Sequence, residues 1–387
     1  MTDLPPKKAY PCGLTLNFRP SRRDFLKTAV FAASGLSGLT CRKHPPLKIK
    51  IGQMFMRGFR GLSIDPADPV IRDIREHGLG GVVLFDYDVP SGTPVRNIAS
   101  PDQVRGLIST LQEAADGSLL VAVDYEGGRV NRLKSRFGFP ETVSAQTLGL
   151  QDPAHTGEQA AAMADMLADL GFNMNLAPVV DVNVNPESPV IGALERSFSG
   201  DPDTVAAHAA AFIEAHHDRN ILCTLKHFPG HGSAASDSHK GLTDITETWS
   251  EKEFAPYRTL IQKGLADAVM TAHVYHAGLD PEFPATLSSK IIGGLLRRQL
   301  GYNGIVLSDC MQMGAIVQEY GFEEAVLRAV QAGVDILVYA NNSVYKEDVA
   351  LRAIEILVNL VNSGKISEAR IDASWQRIRK LKNRLAG

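Results

Sequence analysis

The sequence predicts an α/β fold of the single (β/α)8 TIM-barrel type. Eight short apolar runs alternate with amphipathic helical patterns, which is the arrangement of βαβ units in a parallel sheet. Eight such units favour a closed barrel over an open doubly wound sheet. No Gly-x-Gly-x-x-Gly follows the first apolar run, which weakens the alternative of a nucleotide-binding sheet.

One domain from about residue 45 to 387 accommodates every predicted element. The strands are predicted at residues 49–54, 81–85, 119–123, 174–180, 221–225, 268–272, 304–307 and 335–339. The helices are predicted near residues 67–77, 102–116, 156–170, 202–219, 252–265, 288–299 and 322–332, and two more near 346–363 and 367–384 close the chain. The hydrophobic content of 44% is ordinary for a globular protein with a sizeable core.

Residues 1–41 are predicted to be an export signal that is removed and takes no part in the fold. Residues 21–27, S-R-R-D-F-L-K, resemble a twin-arginine signal, and a mildly apolar stretch follows them. That stretch is too short and too rich in Gly, Ser and Ala to span a membrane stably. Cys41 is the one expected point of membrane anchoring, by lipidation, although the residues before it fit a lipoprotein signal poorly. We therefore expect a periplasmic or cell-envelope location.

Charge and cysteine content disfavour two classes of protein, those that bind nucleic acid and those built on a disulfide framework. The formal net charge is −3, and it becomes about −7 without the basic residues 1–41, so no nucleic-acid partner is expected. The four cysteines are not spaced as a disulfide framework. Cys223 and Cys310 lie in or beside predicted strands, and we expect both to be buried free thiols.

Polar side chains cluster where the predicted strands end. Asp124 follows the third run, Asp181 the fourth, Lys226 and His227 the fifth, and Asp309 the seventh. Barrel enzymes place their active sites at the carboxyl ends of the strands, so these side chains are expected to share one pocket.

Asp309 has two interpretations when it is taken alone. It could cap the next helix or pair with a neighbouring Arg or Lys. It could also be a nucleophile, because a carboxylate on a pocket floor can attack an anomeric carbon and form a covalent glycosyl intermediate.

The loop at residues 226–239, K-H-F-P-G-H-G-S-A-A-S-D-S-H, is the richest in chemistry. His239 could act as a general acid and base, with Asp237 bonding the other ring nitrogen and setting its tautomer. The alternatives are a surface histidine on a mobile loop, or a zinc site built from His227, His231 and His239. The adjoining lysine and the lack of a nearby cysteine disfavour zinc. His231 is expected to be structural.

Five motifs in order resemble family 3 glycoside hydrolases, specifically the short bacterial β-N-acetylglucosaminidases that act on cell-wall fragments. The motifs are V-D-Y-E-G-G-R-V-N-R at 123–132, A-P-V-V-D-V at 177–182, R-S-F at 196–198, the loop at 226–239, and S-D at 308–309. The resemblance extends from about residue 49 to 340. Two departures are Tyr125, where a small polar residue is usual, and Cys310, where family 3 β-glucosidases typically have Trp.

The resemblance implies a role for each matching residue. Asp309 would be the nucleophile and His239 the acid/base, with Asp237 orienting it. The terminal sugar would be bound by Asp124, Arg132, Arg196, Lys226 and His227, although the two arginines could instead brace acidic loops. No metal or cofactor is implied. The implied activity is retaining exo-hydrolysis of terminal N-acetylglucosamine from muropeptide-like or chitooligosaccharide substrates.

Two further hypotheses remain at this point. A histidine base repels an anionic acceptor less than a glutamate does, so phosphate could replace water and make the protein a phosphorylase. A barrel that binds sugar without catalysis is a third class, since fold does not determine function. The complete set of Asp309, His239 and Asp237 argues against that class, because a binding module needs no nucleophile.

Overall fold

The computed structural model describes residues 45–115, 119–239 and 241–385. In this part of the chain eight parallel strands form a closed barrel, which confirms the predicted fold class. The strands are β1 (Phe55–Gly58), β2 (Gly81–Leu84), β3 (Leu120–Val123), β4 (Met174–Asn175), β5 (Leu222–Phe228), β6 (Ala268–Thr271), β7 (Ile305–Cys310) and β8 (Ile336–Tyr339). Each strand pairs with the next along the chain, and β8 pairs with β1 to close the barrel.

The longer helices lie close to their predicted positions. They are Pro69–His77, Pro101–Ala114, Pro153–Leu170, Pro202–His217, Ala255–Gln262, Phe322–Ala332, Val349–Asn362 and Glu368–Asn383, and Lys290–Gln299 has π-helical geometry. Short helices span Leu47–Gly52, Ala145–Leu148 and Gly314–Tyr320. Several helices begin with a proline in the first turn and a polar side chain that accepts a backbone N–H, as Asp152 and Asp201 do. Both features are typical of helix starts.

The predicted first strand is wrong. Residues 49–54 were expected to form a strand, but Leu47–Gly52 is helical and β1 begins only at Phe55. The helix packs closely on its neighbour, since a Cβ on Gly52 would lie 1.8 Å from the carbonyl oxygen of His77. A short apolar run does not distinguish a strand from a buried helical turn.

Other strand ends also differ from the prediction, and two of the differences matter for function. β4 ends at Asn175 rather than near residue 180, whereas β5 and β7 run further than expected. Lys226, His227 and Asp309 therefore lie on strands rather than after them. The register shifts between Leu225 and Phe228 on β5, and between Leu307 and Cys310 on β7. Such irregularities redirect side chains and are common beside active sites.

The barrel strands are buried almost throughout and form the core with the inner faces of the helices. Cys223 and Cys310 are buried free thiols, as expected. No helix among the described residues has the length and apolarity that crossing a bilayer requires. The predicted export signal and Cys41 lie outside the described residues.

Candidate active site

The carboxyl ends of the barrel strands surround a cavity of about 510 Å³. Seven of the eight predicted site residues line it, and they are Asp124, Arg132, Arg196, Lys226, His227, His239 and Asp309. Apolar side chains from several strands complete the wall, among them Val83, Phe85, Leu176, Met270 and Val338. The eighth predicted residue, Asp237, is not among the lining residues, but it is hydrogen-bonded to His239, which is. A largely apolar cavity with a few converging polar groups is the usual form of a small-molecule site.

Asp309 lies at the end of β7 and presents a carboxylate to the cavity. The backbone N–H of Cys310 donates to its Oδ1 at 2.6 Å. Burial raises the pKa of Asp309, but His273, His227 and His239 outweigh that effect, so the pKa lies below its ordinary value. The surroundings therefore favour the ionised form, which is the nucleophilic one.

The two structural interpretations of Asp309 do not hold. The next helix begins at Gly314, and Met313 occupies its N-cap position. Within the described ranges, Asp309 forms no ion pair with a lysine or an arginine. The carboxylate is thus not explained by capping or by charge pairing.

His273 supports the segment that carries Asp309, and sequence analysis assigned it no role. Its Nε2 lies 3.0 Å from the carbonyl oxygen of Cys310, and its Nδ1 lies 2.8 Å from Oγ1 of Thr286. A carbonyl oxygen only accepts hydrogen bonds, so Nε2 carries a proton and donates it to Cys310. Burial lowers the pKa of His273. The Thr286 hydroxyl beside Nδ1 donates to the carbonyl oxygen of Ala272 at 2.9 Å.

A buried ionic cluster forms one wall of the cavity. Nζ of Lys226 lies 2.8 Å from Oδ1 of Asp124 and 2.6 Å from Oε1 of Glu126. Arg196 binds Glu126 through two parallel hydrogen bonds of 2.8 and 2.7 Å, and Arg132 donates to Asp124 at 3.2 Å. Burial raises the pKa of Asp124 and of Glu126, yet the neighbouring cations outweigh it and both pKa values are lowered. The cluster is therefore charged and held rigidly.

Glu126 is the member of this cluster that sequence analysis did not assign. It lies two residues after Asp124, within the motif V-D-Y-E-G-G-R-V-N-R, and that motif was the signal that could have identified it. It contacts both Lys226 and Arg196, whose side chains are only 3% and 11% exposed. Glu126 thus balances two buried cations and positions them at the cavity.

Replacing Glu126 with Gln should destabilise the protein by about 3–5 kcal/mol, because Lys226 and Arg196 would keep buried charge with less compensation. The free energy of unfolding in a denaturant titration at pH 7 measures this. The control is Glu195→Gln, which breaks an exposed 3.6 Å pair with Arg129 and should cost less than about 1 kcal/mol. Similar small losses in both variants would contradict the account of the cluster.

Asp181, which was expected to share the pocket but was given no role, holds His227 and the start of the following loop. It is fully buried, and its Oδ2 lies 2.7 Å from Nδ1 of His227. Its Oδ1 accepts the backbone N–H of His231 at 2.8 Å. Arg196 Nη2 lies 3.3 Å from Nε2 of His227, and since arginine only donates, that nitrogen accepts. The tautomer of His227 is therefore set from both sides.

Asp237 and His239 form the predicted pair. Nδ1 of His239 lies 2.7 Å from Oδ1 of Asp237, and the backbone N–H of His239 donates to the same oxygen at 2.9 Å. The His239 side chain is 60% exposed and lines the cavity, whereas that of Asp237 is 22% exposed. Asp237 engages Nδ1, so Nε2 is the nitrogen available to exchange a proton with a bound molecule.

The three histidines of this loop are not gathered into a metal site. His227 bonds Asp181 and Arg196, while His231 bonds Ser238. In the residues that the structure describes, no group of three or more His, Cys, Asp or Glu side chains is arranged to hold a metal ion.

Glu253 holds the loop at residues 226–239 through a buried hydrogen bond. Its side chain is fully buried, and its Oε2 accepts the backbone N–H of Gly232 at 2.9 Å. Burial raises the pKa of Glu253 to about 8. The folded pKa thus exceeds the ordinary value, so the stability associated with protonated Glu253 is lost as pH rises from about 4.5 towards 8.

Replacing Glu253 with Gln should therefore stabilise the protein at pH 9, by about 1–3 kcal/mol, and change little at pH 4.5. The amide keeps an oxygen for Gly232 and never ionises. Unfolding free energies at the two pH values measure the difference. The control is Glu251→Gln, at an exposed position in the same short 3-10 helix, Glu251–Phe254, and it should have little effect at either pH. A gain that is equal at both pH values would refute the ionisation argument.

Comparisons with known proteins agree with the motifs. The family profile described as "Glycosyl hydrolase family 3 N terminal domain" matches residues 46–381. The "Beta-hexosaminidase" of Tolumonas auensis is 36% identical over 291 residues, covering 74% of this chain and 82% of the relative. The "Beta-hexosaminidase A" of Pseudoalteromonas piscicida is 31% identical over 336 residues, covering 81% of this chain and 54% of the relative.

The fold has equally close counterparts among solved structures. A glycoside hydrolase family 3 β-N-acetylglucosaminidase from Paenibacillus sp. str. FPU-7 matches with a TM-score of 0.80 and 39% identity, over 89% of this chain and 63% of that chain. The present chain thus spans less than two thirds of that protein and about half of the Pseudoalteromonas relative.

Proposed function

The chain belongs to glycosyl hydrolase family 3, and on this basis we propose that it is a retaining exo-β-N-acetylglucosaminidase. The observation that carries the proposal is one cavity lined by the carboxylate of Asp309 and by His239, whose other nitrogen is held by Asp237. A retaining glycosidase needs a nucleophile and a separate acid/base group on the scissile bond. The relatives named above as hexosaminidases support N-acetylglucosamine as the sugar.

In the first step Asp309 attacks the anomeric carbon while protonated His239 donates its Nε2 proton to the departing oxygen. The glycosidic bond breaks as the ester bond to Asp309 forms. In the second step neutral His239 takes a proton from water, whose oxygen attacks the same carbon and displaces Asp309. Two inversions leave the anomeric configuration unchanged. Asp237 stabilises the imidazolium form of His239 through its 2.7 Å hydrogen bond.

The ionic cluster and His227 would bind the terminal sugar. Asp124 offers carboxylate oxygens to sugar hydroxyls, while Lys226, Arg196 and Arg132 donate to hydroxyl or acetamido oxygens. Each of these groups is already held by a partner inside the protein, so little conformational entropy is lost when a sugar binds. The substrates would be muropeptide-like fragments or chitooligosaccharides with a non-reducing N-acetylglucosamine.

A panel of aryl glycosides, chitooligosaccharides and cell-wall fragments tests the proposal. We expect hydrolysis of β-N-acetylglucosaminides, with the β-anomer of the free sugar appearing first in a proton NMR time course. First appearance of the α-anomer, or turnover of β-glucosides alone, would refute it. Parallel reactions with phosphate decide the acceptor, because a phosphorylase would release the sugar 1-phosphate.

We also propose that the protein is exported through its twin-arginine segment. The proposal rests on the S-R-R-D-F-L-K sequence at residues 21–27, which lies outside the described residues. Fractionation of cells that express the full chain tests it, with Arg22→Lys/Arg23→Lys as the variant. Export predicts that the wild type reaches the envelope fraction and that the variant accumulates in the cytoplasm. Equal distribution of the two proteins would contradict it.

A further inference from the structure

Ser238 lies between the two residues of the proposed acid/base pair and points the other way. Its side chain is buried, with the residue 3% exposed, although it sits in a loop whose neighbouring residue His239 is exposed. Its Oγ lies 3.1 Å from Nε2 of His231. The hydroxyl is therefore one of the points at which this part of the loop is attached to the rest of the protein, and the N–H of Gly314, which donates to the carbonyl oxygen of His239 at 3.3 Å, is another.

His231 is itself held in place. It is 3% exposed, and its backbone N–H donates to Oδ1 of Asp181 at 2.8 Å. The other oxygen of Asp181 binds Nδ1 of His227, which lines the cavity. A continuous set of hydrogen bonds thus runs from the sugar-binding wall through Asp181 and His231 to Ser238.

The chemistry of His231 suits an uncharged hydrogen bond to Ser238. Burial lowers the pKa of His231 to about 4, so the ring is neutral at ordinary pH. Within the described ranges, Nδ1 of His231 has no hydrogen-bond partner. A buried ring that made no hydrogen bond at all would be costly, so the contact with Ser238 is the one that satisfies the imidazole.

We propose that the His231–Ser238 contact positions the Asp237–His239 pair for proton transfer. The inference rests on the proposed function and assigns a role to His231, which is not among the residues that line the cavity. Ser238 is joined by peptide bonds to both Asp237 and His239, so fixing its side chain limits how far either neighbour can rotate. The contact acts through His239 and does not itself exchange a proton with substrate.

A positioning role makes a prediction that depends on the leaving group. Departure of a poor leaving group, such as the sugar of N,N′-diacetylchitobiose, needs a proton from His239 in the first step. Departure of 2,4-dinitrophenolate does not. Misplacing His239 should therefore lower kcat/KM for the disaccharide and leave kcat/KM for the dinitrophenyl glycoside almost unchanged, because kcat/KM reports the first irreversible step.

The test compares Ser238→Ala with Ser236→Ala in the full-length enzyme. Ser236 lies in the same loop, but it is exposed and its hydroxyl donates to Thr243 instead, at 3.1 Å. We expect Ser238→Ala to lose about 10–100-fold in kcat/KM on diacetylchitobiose and less than about twofold on the dinitrophenyl substrate. Ser236→Ala should stay within about twofold on both.

A double-mutant cycle with His231→Phe shows whether the two side chains act through each other. Phe keeps a ring and removes both nitrogens. If the contact is the cause, His231→Phe shows the same dependence on the leaving group, and the double variant is no worse than the poorer single variant.

Equal losses on the two substrates, losses in Ser236→Ala that match those in Ser238→Ala, or additive effects in the cycle would each overturn the inference. A wild-type enzyme that cleaves neither substrate would instead refute the proposed function, and this inference with it.

Discussion

Asp309→Asn should lower kcat on aryl β-N-acetylglucosaminides by at least about 10³-fold while the protein stays folded. The amide has the shape of the carboxylate and keeps an oxygen for the N–H of Cys310, but it cannot form the glycosyl ester. The structure favours the reactive form, since the pKa of Asp309 is held below its ordinary value by the surrounding histidines. Steady-state rates and thermal unfolding together separate a loss of chemistry from a loss of fold.

The matched control for this change is Asp244→Asn, which alters an exposed aspartate in the two-residue strand Thr243–Asp244 and should remain within about twofold of wild type. Retention of more than a tenth of the wild-type kcat by Asp309→Asn would exclude Asp309 as the nucleophile. A large loss that appears only together with unfolding would contradict the expectation that the variant stays folded.

His239→Ala should lower kcat/KM by about 10²–10⁴-fold on substrates with poor leaving groups and by little on dinitrophenyl substrates. Because Nδ1 of His239 is bonded to Asp237, Nε2 is the proposed proton donor. An activated phenolate departs without receiving that proton.

A leaving-group series of substituted phenyl glycosides makes this measurement, with His155→Ala as the control. His155 is half exposed and pairs with Glu158 in the helix Pro153–Leu170. Its loss should therefore not change how kcat/KM depends on the leaving group. A loss for His239→Ala that is the same for every phenol would show that His239 is not the general acid.

The sequence was sufficient for the barrel because each βα unit carries its own local pattern. The predictions failed at the boundaries of elements, which this local hydrophobic pattern does not mark. The helix Leu47–Gly52 and the strand Phe55–Gly58 follow each other within twelve residues, and no glycine–proline turn signal marks where one ends and the other begins. The strand ends at Lys226 and Asp309 depend on shifts in register between neighbouring strands, which no single segment encodes.

For the candidate site too, some features were predicted from the sequence and others were not. All eight residues predicted from the motifs line the cavity or contact a residue that does, because the motifs fall at strand ends. The supporting roles of Glu126 and Asp181 were not predicted, because their partners lie far away in sequence. Glu126 binds Arg196 across 70 positions, and Asp181 binds His227 across 46. Such pairings follow from the closed barrel and have no local pattern.

The most direct test of the account is covalent trapping of the nucleophile. The enzyme is incubated with a fluorinated N-acetylglucosaminyl donor that forms the glycosyl-enzyme faster than it is hydrolysed, and the peptic peptides are sequenced by mass spectrometry. One added sugar is expected on the peptide that contains Asp309, and none in Asp309→Asn. Turnover without any adduct, or an adduct on another residue such as His239 or Asp124, would contradict it.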